Sequence, residues 1–189
     1  MLAWFRFGAC LAVSLITATS AASAATAWSV VPAASRIAFS AEHAGNKFKG
    51  AFGSWDAAIA FDPADLAGSK AKVTIALASA KTGDATYDKT MPTADWFDIA
   101  TVPSAVFETS AFRAKGGDAF EADGTLSIRG VSVPVVFGFT FKQDGETAKL
   151  TGSTRLKRLD FGIGKGSDAD GSWVSLEIPV EVEVVLKKG

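Results

Sequence analysis

Apolar residues fall on alternate positions over most of this chain, and that period limits what it can fold into more than any other feature. Val174, Leu176, Ile178, Val180, Val182, Val184 and Leu186 are interleaved with Ser175, Glu177, Pro179, Glu181 and Glu183. A period of two sends successive side chains to opposite faces of a strand, so this run predicts a long, half-buried strand. Pro179 falls on its polar side, where the missing amide hydrogen predicts a sheet edge or a bulge. Val131, Val133, Val135, Phe137, Phe139 and Phe141 repeat the pattern. Phe120, Leu126 and Ile128 repeat it again, opposed by Glu121, Asp123, Thr125, Ser127 and Arg129. Weaker alternation covers 37–39, 73–77, 107–112 and 151–159.

One run changes phase. Phe48, Gly50 and Phe52 are even-numbered, whereas Trp55, Ile59 and Phe61 are odd. A one-residue slip would turn the buried set to the other face, so a bulge or glycine kink is expected near Gly53-Ser54. Asp62-Pro63, Gly116-Gly117-Asp118, Arg129-Gly130 and Gln143-Asp144-Gly145 supply turns between the runs. Between Thr82 and Pro103 the period is lost. Asp84 is placed to cap a short helix ending at Met91, because Pro92 has no amide hydrogen to continue it. Thr93 is placed to cap a second turn carrying Trp96, Phe97 and Ile99. The chain therefore reads as all-β: three strands, a helical crossover, then five strands. Eight antiparallel strands can close into a barrel around one small ligand. A two-sheet sandwich with a filled core fits the same pattern.

The first 24 residues lie outside this scheme. Arg6 is followed by an apolar run from Phe7 to Ile16 and by small residues ending in Ala22-Ser23-Ala24 or Ala25-Thr26-Ala27. That order describes a secretory signal peptide, cleaved after 24 or as late as 27, which leaves 25–189 as one domain. The apolar run is about half the ~20 residues that a membrane-spanning helix needs. Cys10, the only cysteine, falls inside it. No second apolar span follows, so the mature chain is not expected to be integral to a membrane.

The side chains that carry chemistry are few. With 1 Cys and 1 His there is no disulfide framework and no cysteine zinc site, and no metal or cofactor is expected. Lys plus Arg total 19 against 20 Asp plus Glu, a balance that disfavours nucleic acid as a partner. The cluster Arg155, Lys157, Arg158 reads as a surface ion-pair patch. His43 is in phase with Ile37, Phe39 and Ala41 and so faces inward near a strand end. It could be hydrogen-bonded at a rim, contact a ligand head group, or serve an exported hydrolase, although no Gly-x-Ser-x-Gly elbow accompanies it. Phe161-Gly-Ile-Gly-Lys-Gly166 matches no phosphate-loop spacing and reads as a flexible hairpin loop. Asp168, Asp170, Gly171 and Glu177 have part of a calcium-loop spacing, but Gly166 stands at its first position, so a solvated turn is the better reading. No two acids are marked as a converging glycosidase pair. The 14 Phe and 5 Trp are the abundant feature. They could fill a solid core or line a tunnel, and composition leaves both open.

Several of these residues also form an ordered set. Trp28-Ser-Val-Val-Pro32, Ser35-x-Ile37-x-Phe39-x-x-x-His43, Gly50-x-Phe52 and Phe61-Asp62-Pro63 are followed by Asp95-Trp96-Phe97-Asp98 and Pro103-x-x-x-Phe107. Gly124-Thr-Leu126-x-Ile128-Arg129-Gly130-Val131 and Arg158-Leu-Asp160-Phe161-Gly162 complete it. The set resembles the YceI-like family of secreted bacterial proteins and spans nearly the whole mature chain. The resemblance implies an eight-stranded antiparallel lipocalin-like barrel with a short helical crossover between the third and fourth strands. It implies a periplasmic, non-enzymatic carrier of a long apolar ligand such as a polyisoprenoid, an isoprenoid quinone or a fatty amide, without metal or cofactor. Strand phase and motif position together make Phe39, Phe48, Phe52, Trp96, Phe97, Phe107, Leu126, Ile128, Phe137, Phe139 and Phe161 the candidate tunnel lining. His43 and Arg129 are the candidate head-group contacts. The lipid is the expected partner, with a homodimer allowed for. Trp55 and Trp173 depart from the resemblance and would reshape the tunnel. The competing readings are a hydrolase using His43 and a structural or partner-binding β module with a solid core.

Overall fold

The computed structural model describes residues 25–189, so the segment read as a signal peptide lies outside the described residues. The elements in chain order are β1 (Ala27–Val30), β2 (Arg36–His43), β3 (Asn46–Phe52), β4 (Trp55–Ala60), β5 (Lys70–Ala76), β6 (Ala80–Lys81), α1 (Ala85–Thr90), β7 (Ser104–Gly116), β8 (Ala119–Ile128), β9 (Val131–Asp144), β10 (Thr147–Lys157) and β11 (Glu177–Lys188). All neighbours pair antiparallel, and the sheet closes because β1 pairs with both β4 and β11. These segments make an eight-stranded antiparallel barrel. β1 and β2 are one strand broken by a 3-10 turn at Pro32–Ala34, β3 and β4 are one strand broken at Gly53-Ser54, and β6 extends β5. Closure rules out the two-sheet sandwich.

The expected phase slip falls at the break between β3 and β4: Phe48 and Phe52 face the interior before it, and Trp55, Ile59 and Phe61 after it. Pro179 causes no bulge, since the β10–β11 register runs through Arg155↔Pro179 without a shift. It sits instead where pairing to β2 stops, as that ladder begins at Val180↔Phe39. Arg129-Gly130 makes the two-residue turn of the β8–β9 hairpin, with φ of 55° and 77°. In the crossover Asp84 caps α1 as its spacing predicts, accepting from Thr86 N and Tyr87 N, and Met91 ends the helix. Thr93 does not cap the following turn: its hydroxyl donates back to Thr90 O at 2.7 Å.

The interior is built in two levels. At the base, Trp28, Phe61, Phe120, Phe139, Phe141 and Leu186 form one buried cluster. Toward the other end, Leu77, Leu126, Ile128, Phe161 and Ile163 form a second, and Phe39, Ala80 and Met91 a third beneath α1.

Candidate ligand-binding site

Between these levels the barrel encloses a cavity of about 370 Å3, within the roughly 300–1,000 Å3 usual for ligand pockets. Its wall is aliphatic and aromatic, with His43, Thr86, Tyr87, Thr90, Thr109, Thr154 and Arg158 as the polar exceptions. Along β2 the cavity follows Ile37, Phe39, Ala41 and His43, a run of roughly 20 Å at strand rise. Flat aromatic walls require inward glycines. A Cβ on Gly124 would lie 2.6 Å from the Phe107 ring, and one on Gly50 would collide with the Phe39 ring. Both rings therefore lie against the sheet and leave the centre open.

The base is sealed by rings. Phe61 packs against Phe112, Phe120, Phe139 and Phe141 with centroids 4.8–5.5 Å apart, and Trp28 Nε1 donates to Phe61 O at 2.9 Å. At the other end the wall reaches α1, where exposed Thr86 marks the mouth. There His43 Nδ1 is 3.0 Å from the Tyr87 hydroxyl, and the Tyr87 ring packs at a tilt against Phe48 with centroids 4.6 Å apart. Trp173 stands 61% exposed beside this mouth, its ring centroid 6.3 Å from that of His43. It is not on the cavity wall, so only Trp55 of the two unexpected indoles shapes the interior.

The rim is held by a buried ion pair. Arg158 and Asp168 side chains are 1% and 3% exposed, with Nη2 2.6 Å from Oδ2. Arg158 also donates to the carbonyls of Ser175, Ile163, Asp168 and Val174 at 2.8–3.2 Å, and its guanidinium carbon lies 5.7 Å from the centre of the Trp96 ring. Asp168 accepts from Val174 N at 2.8 Å and Trp173 N at 3.0 Å. Burial pushes its carboxyl upward, but those two amides and the Arg158 charge together hold it below the usual carboxylate value. The expectations of a surface basic patch and a solvated aspartate turn are thus overturned for Arg158 and Asp168, because each neutralises the other away from water. Nor is the loop after Phe161 a free hairpin. Asp95 accepts from Gly166 N at 2.7 Å and from Ser167 N and Oγ at 3.0 and 2.6 Å. The Ser167 hydroxyl is the main reason its carboxyl is also held low. The Gly166 and Ser167 amides, the donors a phosphate would need, already serve this carboxylate.

Twelve of the candidate residues come together on the cavity wall: Phe39, His43, Phe48, Phe52, Trp96, Phe97, Phe107, Leu126, Ile128, Phe137, Phe139 and Phe161. Arg129 stands apart. Its guanidinium donates to the carbonyls of Ala94, Asp95 and Gly162, strapping the crossover to the rim loop. Tyr87 and Arg158 are wall residues that the sequence reading did not include. Arg158 carried a signal, being in phase with Leu150 and Leu156 on β10. Tyr87 carried none, since α1 is too short to show a face. Among the described residues no group of three potential metal ligands converges, and no helix is long and apolar enough to cross a membrane.

Comparison with known proteins agrees with this geometry. The YceI-like domain family matches residues 28–186. A UPF0312 protein of Azotobacter vinelandii is 36% identical over 138 residues, covering 70% of this chain and 72% of that protein. One from Pseudomonas savastanoi pv. phaseolicola is 32% identical over 152 residues, covering 77% and 79%. Among solved structures, Burkholderia cenocepacia BcnA superposes with a TM-score of 0.79 at 33% identity, over 82% of this chain and 98% of that one. A polyisoprenoid binding domain from Saccharophagus degradans gives 0.70 at 16% identity, over 87% and 99%, and shares the fold. A closed barrel around an apolar cavity, matched from Trp28 to Leu186, places the chain in the YceI-like domain family.

Proposed function

We propose that this protein is a periplasmic carrier of a long apolar ligand, exported by its first 24 residues and holding the ligand inside the barrel. The observation that carries the reading is the apolar cavity inside the barrel, open at the mouth and closed at the other end by the Phe61 cluster. A monomeric core with no ligand to hold gains from filling such space, since each void forfeits packing contacts. The ligand class is a polyisoprenoid, an isoprenoid quinone or a fatty amide, its apolar chain against the candidate lining residues and its polar end at His43. The role is one of binding without chemistry. The near polar partner of His43 is the Tyr87 hydroxyl, which does not form a nucleophile–base–acid relay. Native mass spectrometry of protein purified from periplasm, with organic extraction, tests the reading. A bound apolar molecule of one defined mass is expected. Protein that emerges empty, and that takes up none of the three ligand classes when they are added back, would overturn it.

A further inference from the structure

Two neighbouring strands of the barrel leave a seam between them. β1 meets β4 at Ala27↔Ala60 and Trp28↔Ile59, and β2 meets β3 from Ile37↔Phe52 onward. Between those pairings residues 29–36 face residues 53–58 without a ladder. Extended chain over 53–58 makes this slot roughly 20 Å long. Both edges are bonded away from it. Val31 N donates to Val185 O at 2.8 Å, while Ser35 Oγ donates to Val31 O at 2.7 Å and accepts from Val185 N at 3.0 Å, drawing the first edge onto β11. Gly53 N donates to Ser79 O at 3.1 Å and Ala76 N to Ser54 O at 3.0 Å, holding the second edge on the β5 side. Backbone groups satisfied in this way do not draw the edges together, so the slot belongs to the fold and is not fraying.

Outside the slot lies a groove of about 540 Å3, where Val30, Pro32 and the edge of Trp28 supply apolar surface among Ser29, Ser35, Arg36, Ser54 and Asp56. Phe52, Trp55 and Ala57 border both this groove and the barrel cavity. Side chains rather than paired backbone therefore separate the two spaces, and side chains turn far faster than strands part. The aromatic base blocks the axial route, so a chain that outgrows the cavity has the mouth or the seam to leave by. We propose that the seam is a lateral port of the cavity, shuttered by Trp55, through which the far end of an over-long apolar chain passes into the outer groove. The proposal rests on the carrier reading above and adds a second opening to it.

Straight-chain fatty amides of increasing length, each with a photoreactive diazirine at the end remote from the amide, test it on the unaltered protein. Short chains are expected to crosslink inside the barrel, and chains longer than the cavity to crosslink at Ser29, Ser54 or Asp56 in the groove. Ser54→Trp, at a position that lines the groove and not the cavity, is expected to weaken long chains at least tenfold while short ones keep their affinity. Long chains that crosslink only at the mouth, around Tyr87 and Trp173, or that ignore Ser54→Trp, would overturn the port and leave the carrier reading standing. Failure of every chain length to bind would overturn both.

Discussion

At the base of the barrel Phe61 is packed among four other phenylalanine rings, whereas at the rim Arg158 and Asp168 bury opposite full charges against each other. The difference follows from how the strands run. At the base, β8 to β11 and β1 are paired to their ends, and inward side chains meet across a closed ring. Toward the rim, β9 and β10 stop pairing beyond Gly138↔Ser153, and the loop between β10 and β11 has to be held by something other than a ladder. Rings fill a space whose walls are already fixed. A guanidinium, with five N–H donors in a rigid fork, fixes walls that the sheet has left open.

The contrast is testable, and the largest effects come from removing one member at each end. Phe61→Ala and Asp168→Ala are each expected to cost about 3–5 kcal/mol at neutral pH, the first through a cavity and the second by stranding a buried cation. Their acid behaviour separates them. Because the Asp168 carboxyl is held below its ordinary value, its contribution is whole above about pH 4 and is lost as the pH falls through the lowered folded value. Denaturant unfolding at neutral pH and near pH 3 should therefore show the Asp168→Ala deficit shrinking and the Phe61→Ala deficit unchanged. Combining Arg158→Met with Asp168→Leu should recover only part of the loss, since it removes the stranded charge but leaves the carbonyls and amides the pair had engaged without partners. A double variant no more stable than Asp168→Ala would mean that the guanidinium-to-carbonyl bonds, not charge pairing, hold the rim.

A smaller effect is expected from Gly124→Val. The added side chain meets both the Glu108 carbonyl and the Phe107 ring at 2.6 Å from its Cβ, so the β7–β8 ladder must give and the ring must turn into the cavity, costing about 1–3 kcal/mol in thermal unfolding and reducing uptake of an apolar fluorescent probe. Undiminished uptake would show that the glycine serves the backbone alone. Smallest is Tyr87→Phe, which removes the hydroxyl beside His43 for about 0.5–1.5 kcal/mol. If the mouth retains ligand through that contact, stopped-flow displacement will show faster release with little change in unfolding. A change in unfolding alone would assign the pair to structure.

The walls of the barrel were legible in the sequence because strand phase is local. Val180, Val182 and Val184 on β11, Leu126 and Ile128 on β8, and the change of phase between Phe52 and Trp55 all follow from alternation, and the structure puts each where its phase requires. The rim was not legible in that way. Arg158 has the inward phase of β10, yet arginine is so seldom buried that its charge outweighs its position until a partner is known. That partner, Asp168, lies in an irregular loop whose path is set by long-range contacts. Arg129 reads as a head-group contact from the sequence motif alone. Its place in the Ile128-Arg129-Gly130 motif points to a ligand, and only the fold reveals that nearby carbonyls engage it first.

Those same contacts bear on what could be changed at the rim. Arg158 and Arg129 grip main-chain carbonyls of Ser175, Ile163, Val174, Ala94 and Gly162, and a carbonyl is the one group every amino acid supplies. The shape of the rim is therefore encoded in a handful of anchoring side chains together with Gly162, Gly164 and Gly171, whose positive φ no other residue adopts readily. Exposed positions such as Lys165, Ala169 and Trp173 are open to exchange without redrawing the loop. A designer wishing to retune what the barrel admits would keep the two arginines, Asp95, Asp168 and the loop glycines, and rewrite the exposed letters between them.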